Sequence, residues 1–242
     1  PVGNADMMDN NVGDQNPFSK LYLNWITPYV VYGDCTITIP SSQKKDAVIV
    51  IPDDNKTLKK NKDGKVIFNT MDEYVVVDYY TDKNMNQYDY DCYKVKHIEG
   101  SGARVYHVDN RVCTFKAVDS NDNPINPKYA DLKNIDENNY YVVAHENSVT
   151  GYYNSESGVS LNYMNENYRN VTQLSKSNRV FAKNGYTFEN QDMFYQGESF
   201  DAAKFANQFP NKTKMNNGSE LAYNLTVVDI KDHQATIRFT KN

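Results

Sequence analysis

The sequence predicts a mainly β protein, in which an antiparallel β-sandwich-like region follows a short N-terminal helix. From Val30 onward, apolar and polar residues alternate in short segments rich in β-branched and aromatic side chains, which is typical of strands. Turn residues separate these segments, and only the N-terminal part shows a convincing amphipathic helix. The chain has 242 residues, of which 39% are hydrophobic and 13% aromatic, enough to form a buried core.

The predicted helix begins after Asn16, which can cap it, with Pro17 at the first helical position and Pro28 ending it. Its apolar residues recur at i, i+3, i+4, i+7 and i+8 and therefore share one face. These residues are Phe18, Leu21, Tyr22, Trp25 and Ile26. We expect this face to pack on the sheet, with Trp25 in the core and not serving as a platform for a ligand.

Strands are predicted wherever short segments alternate with period two between turn residues. The predicted strands are 35–39, 47–51, 73–80, 102–108, 112–117 and 140–145. A short helix is also predicted at 199–208, with Ser199 as its cap.

A hairpin is predicted at the C-terminus. Its first strand starts near Leu221, and the apolar phase changes at Val228, which indicates either a bulge or a strand crossing between sheets. Lys231 and Asp232 form the turn, and the return strand continues to Thr240 with apolar residues on its inner face.

Residues 119–176 are crowded with Asn, Asp, Ser and Tyr, and this composition predicts long polar loops. One stretch alternates Asp and Asn oxygens like a calcium loop, but Pro124 stands where such a loop needs Gly, so a polar turn is favoured. That stretch contains Asp119, Asn121, Asp122 and Asn123. Tyrosines in these loops could stack on sugars, although half-buried sheet positions are favoured. They are Tyr152, Tyr153, Tyr163 and Tyr168.

Charge and composition exclude several classes of function. Lys and Arg number 26 against 31 Asp and Glu, for a net charge of −5, so a nucleic-acid partner is not expected. The basic cluster around Lys59, Lys60 and Lys62 is diluted by nearby aspartates. No apolar run approaches the roughly 18 residues of a membrane helix, so no membrane span is expected.

The candidate metal ligands and nucleophiles do not form a complete set. His97, His107, His145 and His233 are isolated from one another, and the zinc-helix motif HExxH is missing. His107 and Asp109 are predicted to be hydrogen-bonded sheet residues and not metal ligands. Cysteines 35, 92 and 113 lack zinc-knuckle spacing; one disulfide and one free thiol would fit, with the pair left open.

One stretch resembles a known family. DMMDNNVGDQNPFSKLYLNWITPYVV, residues 6–31, is similar to the segment that follows the zinc helix in immune inhibitor A-like secreted zinc metallopeptidases. EYVVVDYY (73–80) and GARVYHVD (102–109) resemble two strands of that family. The chain departs from the family at three positions: Gln15 replaces a frequent His, Asn24 a usual Gly and Asp78 a common Glu.

The resemblance implies a division of the chain. Residues 1–32 would be the tail of a zincin catalytic domain, and 33–242 a β-sandwich-like C-terminal region. Met7 or Met8 would form the Met turn, the apolar floor under the metal, and Asp9 would brace that turn. The zinc ligands and the general base would lie upstream of Pro1, so the chain is interpreted as a fragment without catalytic residues.

The expected function follows from the same resemblance. The intact parent would be a secreted or cell-surface zinc metallopeptidase that hydrolyses peptide bonds in proteins or peptides, with calcium use left open. The chain alone would be inactive. The alternative is a non-catalytic extracellular β module that binds glycans or proteins. The sequence indicates neither peptide specificity nor oligomeric state.

Overall fold

The computed structural model describes residues 13–44, 48–52, 59–60, 62, 66–67, 69–70, 72–87, 98, 100–110, 113–118, 131–134, 141–143, 152–154, 159–161, 171–180, 188–209, 213–215 and 218–242. Among these residues the one α-helix is α1, Pro17–Tyr22. The strands are β1 (Tyr29–Val30), β2 (Cys35–Pro40), β3 (Val48–Pro52), β4 (Lys59–Lys60), β5 (Val66–Ile67), β6 (Glu73–Thr81), β7 (Ser101–Asp109), β8 (Cys113–Val118), β9 (Asp131–Asn134), β10 (Tyr141–Val143), β11 (Tyr152–Asn154), β12 (Val159–Leu161), β13 (Val171–Leu174), β14 (Ser199–Phe200), β15 (Tyr223–Lys231) and β16 (Gln234–Lys241).

Two larger sheets organise the fold. Sheet A has the strand order β1-β3-β6-β7-β13, and sheet B has the order β14-β15-β16-β2. Neighbouring strands are antiparallel except β1 and β3, which pair in parallel. The mainly β, sandwich-like fold predicted from the sequence is confirmed.

The main core lies between the two sheets. Sheet A contributes Val75, Val77 and Val105, while sheet B contributes Ile237 and Phe239, all at 0% exposure. Three phenylalanines of the 194–205 segment complete one end: Phe194 meets both Phe200 and Phe205 edge to face, with ring centroids 5.8 and 5.6 Å away. Such pairs add to the stability that burial provides.

The central strands β6 and β7 are buried on both faces. Val75, Val77 and Val105 face sheet B, whereas Tyr74, Val76 and Tyr106 form a second core with the N-terminal segment. This double burial explains why the sequence of β6 is almost continuously apolar and does not alternate.

The predicted C-terminal hairpin forms, but its turn consists of Asp232 and His233 and not of Lys231 and Asp232, because Lys231 still pairs with Gln234. β15 and β16 pair from Tyr223 with Lys241 to Lys231 with Gln234, and the register shifts between Val227 and Asp229. The shift decides between the two alternatives for the change of phase: it is a bulge at Val228. At the turn, Asp232 and His233 both have positive φ, 51° and 58°, as a two-residue hairpin turn of the favoured twist requires.

Further expectations about local structure need correction. The helix ends at Tyr22, well before Pro28. Segment 199–208 contains strand β14 and a 3₁₀ turn at Ala206–Gln208, not an α-helix. Residues 119–176 were expected to form long polar loops, but β9, β11, β12 and β13 lie among them, and Tyr152 and Tyr153 belong to β11. The proposed calcium-like stretch at 119–123, Tyr163, Tyr168, His97 and His145 lie outside the described residues.

Candidate functional site

Large apolar side chains are exposed along one stretch of the chain. Their exposed fractions are 58% for Tyr22, 47% for Leu23, 57% for Trp25, 43% for Tyr29 and 56% for Tyr32. We call these five side chains the N-terminal apolar surface. Among the described residues, Met85, at 46%, is the one other large apolar side chain with comparable exposure. Single exposed apolar residues are ordinary, but five between positions 22 and 32 are a candidate interaction site.

The end of α1 explains why Trp25 is exposed. Asn24 adopts a left-handed conformation with φ of 58°. The Asn24 N–H donates to the Leu21 carbonyl (3.0 Å) and the Trp25 N–H donates to the Lys20 carbonyl (2.9 Å), the pair of bonds that defines a Schellman ending. The predicted helical spacing therefore does not continue past Tyr22, and Trp25 leaves the buried face.

One side of the same segment is firmly packed. Leu21 and Ile26 are 4% and 6% exposed and contact Tyr74, Val76 and Tyr106 of sheet A. The expected packing on the sheet is thus confirmed for Leu21 and Ile26. It is wrong for Tyr22 and Trp25, which face away.

Polar contacts fix the start of α1. The Asn16 side chain accepts a hydrogen bond from the Ser19 N–H at 2.9 Å, which confirms the predicted cap. Lys20 is buried, forms an ion pair with Asp14 and donates to the Ser42 carbonyl at 2.7 Å. A buried ammonium group needs such partners because an unpaired charge is costly in the interior.

The same network reaches the end of β6. The Asp14 N–H donates to the side-chain oxygen of Asn86 at 3.1 Å, and the Asn86 side-chain amide donates to the Thr81 carbonyl at 2.9 Å. Sequence reasoning missed this network because its members are far apart in the chain. The signal that the sequence did offer was Lys20, a charged residue within an apolar helix, which indicates a buried polar partner.

Of the residues singled out by the resemblance, the structure describes some and not others. Met7, Met8 and Asp9, the proposed floor of the parent's metal site, lie outside the described residues. Gln15 is half-buried, and its side-chain oxygen has no hydrogen-bond partner among the described residues. Asn24, where the family has Gly, occupies a left-handed position that both residue types tolerate.

Acidic groups and a histidine meet at one end of the core. His107 and Glu73 are 3% and 2% exposed, and His107 Nε2 lies 2.7 Å from Glu73 Oε1. Asp109, which is fully buried, pairs in register with Glu73 across β6 and β7, and the Phe209 ring lies 5.7 Å from the imidazole. The predicted hydrogen-bonded sheet position of His107 is confirmed.

A buried ion pair crosses the other face of the same strands. Arg104 donates to Asp78 through Nε at 3.0 Å and Nη2 at 2.5 Å. The guanidinium also lies over the Tyr80 and Tyr106 rings, 4.8 and 5.5 Å from their centroids. Burial, the largest single influence, would lower the pKa of Arg104, but the Asp78 carboxylate together with Tyr106 and Tyr80 outweighs it, and the pKa is raised.

A third polar cluster surrounds Asp192. Its carboxylate accepts hydrogen bonds from Ser175, Ser177 and Arg179 and from the Glu189 N–H. Burial by itself would raise the pKa of Asp192, but these donors together lower it. The cluster joins the end of β13 to the segment before β14, so we interpret its role as structural.

Metal-ligating groups are sparse in the part of the chain that the structure describes. No group of three or more His, Cys, Asp or Glu residues there could hold a metal ion. Cys35 is a free thiol, and burial raises its pKa. Cys92 and the side chain of Cys113 lie outside that part. No helix within it is long and apolar enough to cross a membrane.

Compared with known proteins, the chain matches no family model, no curated protein and no solved structure. The resemblance of residues 6–31 and 102–109 to secreted metallopeptidases therefore remains a prediction. Four of the five side chains of the N-terminal apolar surface lie within the first of these two stretches, and Tyr32 follows it directly.

Proposed function

We propose that the chain is the C-terminal part of a secreted zinc-dependent metallopeptidase and that its N-terminal apolar surface packs against the catalytic domain. The exposure of Trp25 on a segment whose other side is buried is the observation that carries this proposal. The zinc ligands and general base would lie in polypeptide upstream, and the chain alone would not cleave peptides.

The two-sided character of the segment is the physical argument. A surface segment needs only one apolar side, and Leu21 of α1 together with Ile26 beyond the helix already supplies it against sheet A. Tyr22, Leu23 and Trp25 form a second apolar side, which adds no stability to the isolated chain because it stays in contact with water. Burying a large side chain contributes about 1.5–3 kcal/mol, so covering these half-exposed residues would contribute about 1 kcal/mol each.

The contacts that anchor α1 support a role for this helix at an interface between two domains. The Lys20 contacts with Asp14 and Ser42 tie the helix to the segment after β2, and the Asn86 side chain links Asp14 to the end of β6, which leaves little freedom for the outer side of the helix to move. A catalytic domain seated on that side would keep a defined orientation. The β region would then support the substrate cleft.

The chemistry of the parent would come from the metal. Zinc in such an enzyme polarises the scissile carbonyl and lowers the pKa of bound water, while a glutamate handles the proton. The described residues contribute none of these groups, so their part in the reaction would be to support the domain that does.

The alternative is a non-catalytic extracellular β module. The same aromatic side chains favour it, because exposed Trp and Tyr rings present flat apolar faces to sugars or partner proteins. The two functions differ in whether the preceding polypeptide carries zinc ligands.

The deciding experiment compares the chain alone with the full-length product of its gene, which on this proposal is a longer protein. We expect the chain alone to bind no stoichiometric zinc by elemental analysis and to leave casein uncut. The longer protein should bind one zinc and cleave casein. A longer protein without bound zinc or activity would overturn the metallopeptidase proposal and favour the binding module.

The role of the surface is tested in the same longer protein. Replacing Trp25 with Ser should lower the thermal stability of the catalytic part and reduce casein cleavage several-fold, because the covering contact is lost. Met85→Ser removes a similarly exposed apolar group elsewhere and serves as the matched control. Equal activity of the two variants would show that Trp25 does not contact the catalytic domain.

A further inference from the structure

We draw no further inference here: the strongest candidate, the buried side-chain cluster of Glu73, His107 and Asp109 between the two sheets, carries nothing because Glu73 and His107 hydrogen-bond each other and nothing in the described residues shows a ligand for the cluster.

Discussion

Individual residues in the central strands show how this fold accommodates charge in its interior. Arg104 and Asp78 lie directly opposite each other on β7 and β6, and both are essentially inaccessible to water. A buried pair of this kind is costly to break, because removing one member leaves the other charged and unpaired. The pair is therefore a sensitive place to test the structure.

Arg104→Met should lower the free energy of unfolding by about 3–5 kcal/mol, because it leaves the Asp78 carboxylate buried without its cation. Urea denaturation measures the change. The double variant Asp78→Leu with Arg104→Met removes both charges and should recover much of the loss. A single variant no less stable than the double variant would contradict the buried pair.

The lowered pKa of Asp192 predicts that the stability of the protein depends on pH. Its pKa is lower in the folded protein than in the unfolded chain, so its contribution is complete above the usual aspartate pKa of about 3.9. That contribution is lost as the pH falls through the folded-state pKa. Asp192→Asn should therefore lower the melting temperature near neutral pH, and the difference from the native protein should shrink as the solution is acidified.

The control for Asp192 is Asp229→Asn. Asp229 forms a partly exposed ion pair with Lys231, at 3.2 Å, and such pairs contribute little. Calorimetry between about pH 6 and about pH 3 would separate the two aspartates. A constant difference between Asp192→Asn and the native protein across that range would rule out the proposed linkage.

At the scale of elements, α1 depends on its ending as much as on its apolar stripe. Asn24→Ala should cost about 1 kcal/mol, because alanine lacks the short polar side chain whose local hydrogen bonds let asparagine tolerate the left-handed conformation. Asn24→Gly should match or slightly exceed the native stability in urea denaturation. Stabilisation by Asn24→Ala would instead indicate that the helix continues through this position, since alanine has the higher helix propensity.

The central strands and the C-terminal hairpin were predictable, whereas the end of the helix and short strands such as β11 and β14 were not. β6, β7 and the C-terminal hairpin carry strong local patterns, and the phase change at Val228 marks the bulge. Asn24 gave only a weak signal, because asparagine also occurs within helices. The spacing of Trp25 therefore predicted a buried face that the chain leaves after Tyr22.

Long-range polar contacts could not be predicted from local patterns at all. The partners of Lys20 include Ser42, and Asp14 meets Asn86, so no window of sequence contains both members of either pair. Glu73 with His107 and Asp78 with Arg104 become apparent only once the register of β6 and β7 is known. A charged residue inside an apolar strand indicates that a partner exists without identifying it.

At the scale of the whole molecule, the single tryptophan reports on the N-terminal apolar surface. Because Trp25 is 57% exposed, its fluorescence in the isolated folded chain should be quenched by acrylamide almost as strongly as in the urea-unfolded chain. Phe18 lies in α1 and is partly buried against the second core, so Phe18→Trp with Trp25→Phe should give a more protected signal. Strong protection of the native Trp25 would contradict its exposure.

The pairing of β2 with β16 has a consequence for how the protein is made. Ile37 and Ile237 lie side by side, and the Gly33 N–H donates to the hydroxyl of Tyr223 at 2.7 Å. Sheet B therefore joins β2 to a strand, β16, that is translated much later. A nascent chain on the ribosome cannot close this sheet until residues 234–241 have emerged. The apolar side chains of β2 therefore stay exposed to solvent during synthesis.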